Sequence, residues 1–166
     1  MESRIGVVAF AFGTPRDIRS NRIIGKFATR EARERGALVF TQLDVPIGLD
    51  VSLDITYAKE ERGSPPPTLR IAREVAKWMI RRDIDELIVV CAKPHMWRCK
   101  RDLSRVFKDE ILVRPIRFCE EIKTSQNNVW FCYESTQKRT QTWWRWHWRE
   151  IILKLLPFRI YSCIAS

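Results

Sequence analysis

The chain has 166 residues, 45% of them hydrophobic, which is enough for one domain of ordinary size with a substantial core and excludes a disordered chain. Lys and Arg number 30 against 20 Asp and Glu, a formal net charge of +10 that disfavours neutral or cationic ligands and favours anionic ones. The five cysteines, Cys91, Cys99, Cys119, Cys132 and Cys163, form no CxxC pair, so free thiols in a reducing, cytoplasmic setting are expected. The apolar stretches at residues 5–12 and 151–158 are too short or too interrupted to span a membrane. No signal peptide is expected either.

Residues 5–12 form a continuous apolar run that ends at Gly13-Thr14-Pro15, the pattern of a strand buried on both faces. Ser20 or Asn21 is placed to cap a helix bearing Ile23, Ile24, Phe27, Ala28 and Ala32, with Gly36 just past its end. Residues 37–41 make a second strand, and residues 51–57, alternating apolar and polar, a third near a sheet edge. The stiff Pro65-Pro66-Pro67 loop leads to a helix starting near Thr68, with Ala72, Val75, Ala76 and Met79 on its core face. Residues 86–91 are the clearest buried strand, followed by a helix over 96–108 and a fifth strand at 111–115. Residues 128–133 suggest one more strand, and 135–156 a helix with Trp144 and Trp148 on one face. Strands alternating with helices predict an α/β chain: a three-layer, Rossmann-like, open and mostly parallel sheet with helices on both faces, as a single domain over 1–166.

In such a sheet, ligands bind beyond the carboxyl ends of the strands, where strand order reverses. Two loops compete for that place. Residues 11–15 offer Gly13 and Thr14 but neither GxGxxG nor a P-loop. Residues 92–95 end on His95, with Arg98 one turn later on the same face; an imidazole can exchange a proton and a guanidinium can clamp an anion. One cysteine near His95, without paired carboxylates, makes a poor metal site, so no metal is expected.

The stretches Thr68-Leu-Arg-Ile-Ala72 and Leu87-Ile-Val-Val-Cys-Ala-Lys-Pro-His-Met-Trp-Arg98 resemble the SanA/YdcF-like proteins, a Rossmann-like family of largely unassigned function. Thr68, Ala72, His95, Met96 and Arg98 match its motifs, while Arg70-Ile71 replaces its Glu-Asn pair. The likeness covers roughly residues 64–116 and is weak at residues 5–13; the family's glycine-rich middle loop has no counterpart here. The resemblance implies a nucleotide-like cofactor such as S-adenosylmethionine and cell-envelope functions, although the membrane anchor usual in envelope members is not expected here.

The segment Trp143-Trp144-Arg145-Trp146-His147-Trp148-Arg149 can lay tryptophans across the sheet, pair with a second copy, stack on nucleic acid or lie at a membrane surface. The remaining basic residues are dispersed over three helices and partly paired in sequence, Glu31 with Arg35 and Glu74 with Lys77. Two functions follow. The first is a domain binding an anionic, nucleotide- or phosphate-bearing small molecule through Gly13, Thr14, Thr68 and Arg98, with His95 as acid or base should transfer or hydrolysis follow. The second is a basic, non-enzymatic module for nucleic acid or assembly, with homo-oligomer contacts through residues 143–156.

Overall fold

The computed structural model describes residues 3–48, 52–61, 63–110, 115–124 and 129–164. Five strands form one sheet in the order β3-β2-β1-β4-β5: β1 (Ile5–Ala9), β2 (Leu38–Thr41), β3 (Ile55–Tyr57), β4 (Glu86–Val90) and β5 (Ile116–Phe118). All neighbouring pairs are parallel, and β1 and β4 run in register from Ile5↔Glu86 to Ala9↔Val90. The two central strands carry the continuous apolar runs because both their faces are covered.

Helix α1 (Arg19–Arg35) lies on one face of the sheet. Its Ile24, Ala28 and Ala32 pack with Val7, Ala9, Val39, Ile88 and Val90. Helices α2 (Thr68–Arg82) and α3 (Met96–Asp109) cover the other face, where Leu69, Ala72, Val75, Leu103 and Val106 meet Val8, Phe10, Leu87 and Val89. The result is a three-layer Rossmann-like α/β fold, with strand order reversing between β1 and β4.

Several local expectations are met for the stated physical reasons. Gly36 takes a left-handed φ of 58° and closes the C-terminus of α1, and the third strand is indeed at the sheet edge. Others are corrected. Ser20 and Asn21 lie within the first turn of α1 rather than capping it: the Ser20 hydroxyl donates to the Phe12 carbonyl at 2.9 Å. Asn21 Oδ1 accepts from the Phe12 N–H at 2.9 Å, so both residues fasten the loop after β1. Of the fifth expected strand, 111–114 lie outside the described residues; β5 begins at Ile116 instead. Asn128 is also outside them, and 129–133 form no strand. Glu74 pairs with Arg70 at 3.7 Å rather than with Lys77.

The predicted terminal helix starts later than residue 135. Residues 135–142 are turns around a single 3-10 turn of helix (Lys138–Thr140), α5 runs Trp143–Leu155, and a further helix, α6 (Phe158–Ile164), follows. This segment folds back over the sheet's carboxyl edge and contributes to both cores: Leu153 and Tyr161 to one, Trp146 to the other, where Trp130 joins it. A short helix, α4 (Glu120–Thr124), follows β5 and buries Ile122.

Candidate functional site

The loop after β4 brings His95 to the sheet's carboxyl edge, and α2 begins beside it. Thr68 Oγ1 and His95 Nε2 are hydrogen-bonded at 3.0 Å, joining residues 27 positions apart. Phe10 and Phe12, from the end of β1 and the loop after it, each place a ring centroid 6.2 Å from the imidazole. Trp146 of α5 closes the fourth side at 5.4 Å and donates from Nε1 to the Pro94 carbonyl at 3.1 Å. His95 is therefore 6% exposed and Arg98 4%.

Arg98 is not the free cation that its place on an otherwise charged helix suggests. Its guanidinium lies 2.7 Å from Glu150 Oε1 and 4.8 Å from the Trp146 ring centroid. Arg139 and Arg149 complete a basic group around it, both lining the same cavity. Burial, with help from Arg98 and Arg139, pushes Arg149 down to about 10. Burial and Arg98 lower Arg139 in the same direction. Burial raises Glu150 against the pull of Arg98 and Arg149.

Burial also holds His95 well below the usual imidazole range, reinforced by Arg98, Arg149 and Arg139. The imidazole is therefore neutral at physiological pH. It can accept a hydrogen bond, and of the acid-or-base role expected from sequence the acid half, which needs the protonated ring, is disfavoured. His95 Nδ1 and Arg98 Nε are buried and have no partner among the described residues.

The cavity between these groups holds about 50 Å³ and is walled by Phe12, Gly13, Pro65–Pro67, Gln137 and Trp146 together with the residues above. At ~10–15 Å³ per water-sized group it takes a compact oxyanion and not a purine ring. Among the described residues that line it there is no carboxylate. A larger hollow of about 600 Å³, lined by Lys59, Glu60, Glu61, Ser64 and Arg70, so of mixed charge, shares the Pro65–Pro67 wall.

Four of the five sequence candidates thus converge: Gly13, Thr68, His95 and Arg98. Thr14 does not. It is buried away from this cavity, its hydroxyl bonded to that of Thr136, and it lines a separate hollow with Pro15, Asp17 and Leu43. Gly13 reaches the wall, but Ser135 and Thr140 cover it: a Cβ there would stand 2.6 Å and 2.7 Å from their hydroxyl oxygens. Cys91 is a buried thiol beside Cys99, itself pushed well up by burial, and neither thiol lines the cavity.

Sequence reasoning missed Arg139, Arg149, Glu150 and Trp146 as parts of this site. The available signal was Glu150, the sole acid in the strongly basic stretch of residues 135–166. An acid so isolated in sequence is a candidate for a buried partner.

No protein-family model matches the chain, and no curated protein matches it. Among solved structures, a universal stress protein from Archaeoglobus fulgidus, determined in complex with dAMP, is similar over 70% of this chain and 97% of its own. Its sequence identity is 15% and the TM-score 0.35. A likeness of that degree does not carry the neighbour's ligand to this chain. No helix among the described residues is long and apolar enough to cross a membrane.

Proposed function

We propose that the chain binds a compact anion, the phosphoryl group of a nucleotide or sugar phosphate or phosphate itself, in the cavity beside His95. One observation carries this reading: Arg98, Arg139 and Arg149 meet at a cavity of about 50 Å³, and Glu150 is the carboxylate set against them. An oxyanion placed there relieves the mutual repulsion of the arginines. It also meets the unpartnered Arg98 Nε, with neutral His95 and Thr68 as further hydrogen-bonding groups. The rest of a phosphate-bearing ligand has room in the adjoining hollow past Pro65–Pro67. Membership of the SanA/YdcF-like family belongs to the same proposal; Thr68, Ala72, His95, Met96 and Arg98 support it. Should transfer or hydrolysis occur, His95 serves as the proton acceptor once the bound anion offsets the arginines that help to depress its proton affinity.

Thermal shift tests this directly, with phosphate, AMP and a sugar phosphate compared against adenosine. Phosphate-bearing compounds raise Tm and adenosine does not. A charged hydrogen bond contributes about 1.5–3 kcal/mol, so Arg149→Gln and Arg139→Gln each weaken binding by about ten- to a hundredfold. The reading fails if no phosphate-bearing compound stabilises the wild type more than Arg149→Gln.

A further inference from the structure

On α5, Trp144, Trp148, Ile151, Ile152 and Leu155 recur at helical spacing and span an arc of about 100° at 3.6 residues per turn. All five are exposed, Trp144 at 66%, Trp148 at 62% and Leu155 at 79%. The opposite side of the same helix is buried through Trp146, Glu150 and Leu153. The helix thus has two apolar faces, and one has no cover among the described residues. Arg145 borders this outer stripe on one side, with Arg149 further round and turned to the anion cavity, and His147 and Lys154 border it on the other. Beyond Pro157, α6 adds exposed Ile160, Ile164 and Arg159.

We propose that this outer face docks on an anionic lipid surface. The charge pattern selects that occupant. Across α5 and α6 the acid is Glu150, which is buried and paired with Arg98, so every exposed charge on these helices is basic. A second copy of the chain would set this basic rim against its own like, whereas acidic headgroups complement it. The stripe itself separates lipid from nucleic acid. Bases stack on tryptophan, but Ile151, Ile152 and Leu155 offer nothing to a base or a phosphate. They bury readily among acyl chains, with the tryptophan rings at headgroup depth and the arginine and lysine heads reaching outward. The helix lies on the bilayer and does not cross it, in keeping with its 13 residues. The surface is separate from the anion cavity, which is bounded by the inner side of α5.

Co-sedimentation of the full chain with vesicles tests the proposal, using phosphatidylcholine alone and phosphatidylcholine mixed with phosphatidylglycerol. The chain should sediment with the mixed vesicles and far less with the neutral ones, and added salt should release it. Trp144→Ser with Trp148→Ser should weaken vesicle binding by about tenfold or more while leaving Tm unchanged, because both rings are exposed. Arg145→Gln with Arg159→Gln should weaken it on mixed vesicles alone. Equal binding to both kinds of vesicle overturns the proposal, as does undiminished binding by the tryptophan variant. So does failure to bind vesicles by a chain that binds a single-stranded oligonucleotide, or that forms a dimer lost in the tryptophan variant.

Discussion

Glu150 decides how much positive charge the cavity carries. Its pair with Arg98 is almost wholly withdrawn from water, and removing one member of such a pair costs about 3–5 kcal/mol. Glu150→Gln therefore lowers stability substantially in denaturant titration. It also leaves three guanidinium groups without a carboxylate, so phosphate should raise the variant's Tm by more than it raises the wild type's. An equal rise in both would mean that the carboxylate and the anion do not compete. His95 makes a second prediction at this scale, one of pH. Its folded-state proton affinity lies well below the unfolded value near 6.5, so the unfolded chain takes up a proton that the folded chain refuses. The stability contributed by neutral His95 is complete above about pH 6.5 and is lost as pH falls below it. Glu60, Asp102 and Glu150, raised by burial, act in the opposite sense, but they are present with or without His95. Tm measured from pH 7 to pH 5 should thus fall more steeply in the wild type than in His95→Gln, and parallel curves would contradict the assignment.

Between the elements, the loop after β1 and the turns at 135–142 hold each other in place. Gly13 has a φ of 99° and supports Ser135 and Thr140, whose hydroxyls are 2.7 Å apart; the Thr136 N–H donates to the Thr14 carbonyl at 2.8 Å. Gly13→Ala strains the backbone and drives a methyl group into both hydroxyls, a cost of about 1–3 kcal/mol. Limited proteolysis should then cut the variant within 135–142, and a cleavage pattern identical to the wild type's would show the contact to be dispensable. These turns also mark the limit of what sequence pattern can give. Continuous apolar runs at β1 and β4, the spacing along α2 and the glycine closing α1 are local signals, and they sufficed for the sheet and its layers. The helix expected from 135 failed because Ser135, Thr136 and Thr140 bond to backbone and to one another, and such side chains compete with helical hydrogen bonding. The expected helix ended at residue 156, yet the Pro157 carbonyl accepts from the Ile160 and Tyr161 N–H groups and so starts α6. Thr68, His95 and Arg98 were legible because βαβ connections bring successive strand ends to one edge. Arg139, Arg149 and Trp146 were not, because their arrival depends on the chain folding back from about 40 residues further on.

At the scale of the whole molecule, where Lys and Arg exceed Asp and Glu by ten, the basic residues divide into two kinds. Arg30 with Glu34 and Arg105 with Asp109 are exposed or half-exposed pairs on helix surfaces, each contributing about 0–1 kcal/mol, and they say little about function. The cations at the carboxyl edge differ because they come from separate parts of the chain: Arg98 from α3, Arg139 from the turns, Arg149 from α5. The C-terminal segment that delivers two of them is anchored elsewhere as well, since Tyr161 donates to Asp102 Oδ2 at 2.5 Å and Arg101 donates to the Leu153 carbonyl at 3.1 Å. An anion in the cavity would thus tie this segment to the sheet through a new set of contacts. Its binding energy then adds to the cost of any opening that separates the two. Hydrogen exchange with and without saturating phosphate reads this out by region. Protection should rise most in residues 137–153 and at the start of α2, and less in β1 and β4, which already lie at the sheet centre and open only on global unfolding. An equal rise across the chain would place the anion's stabilising contacts outside this junction, and no rise in 137–153 would remove Arg139 and Arg149 from the site.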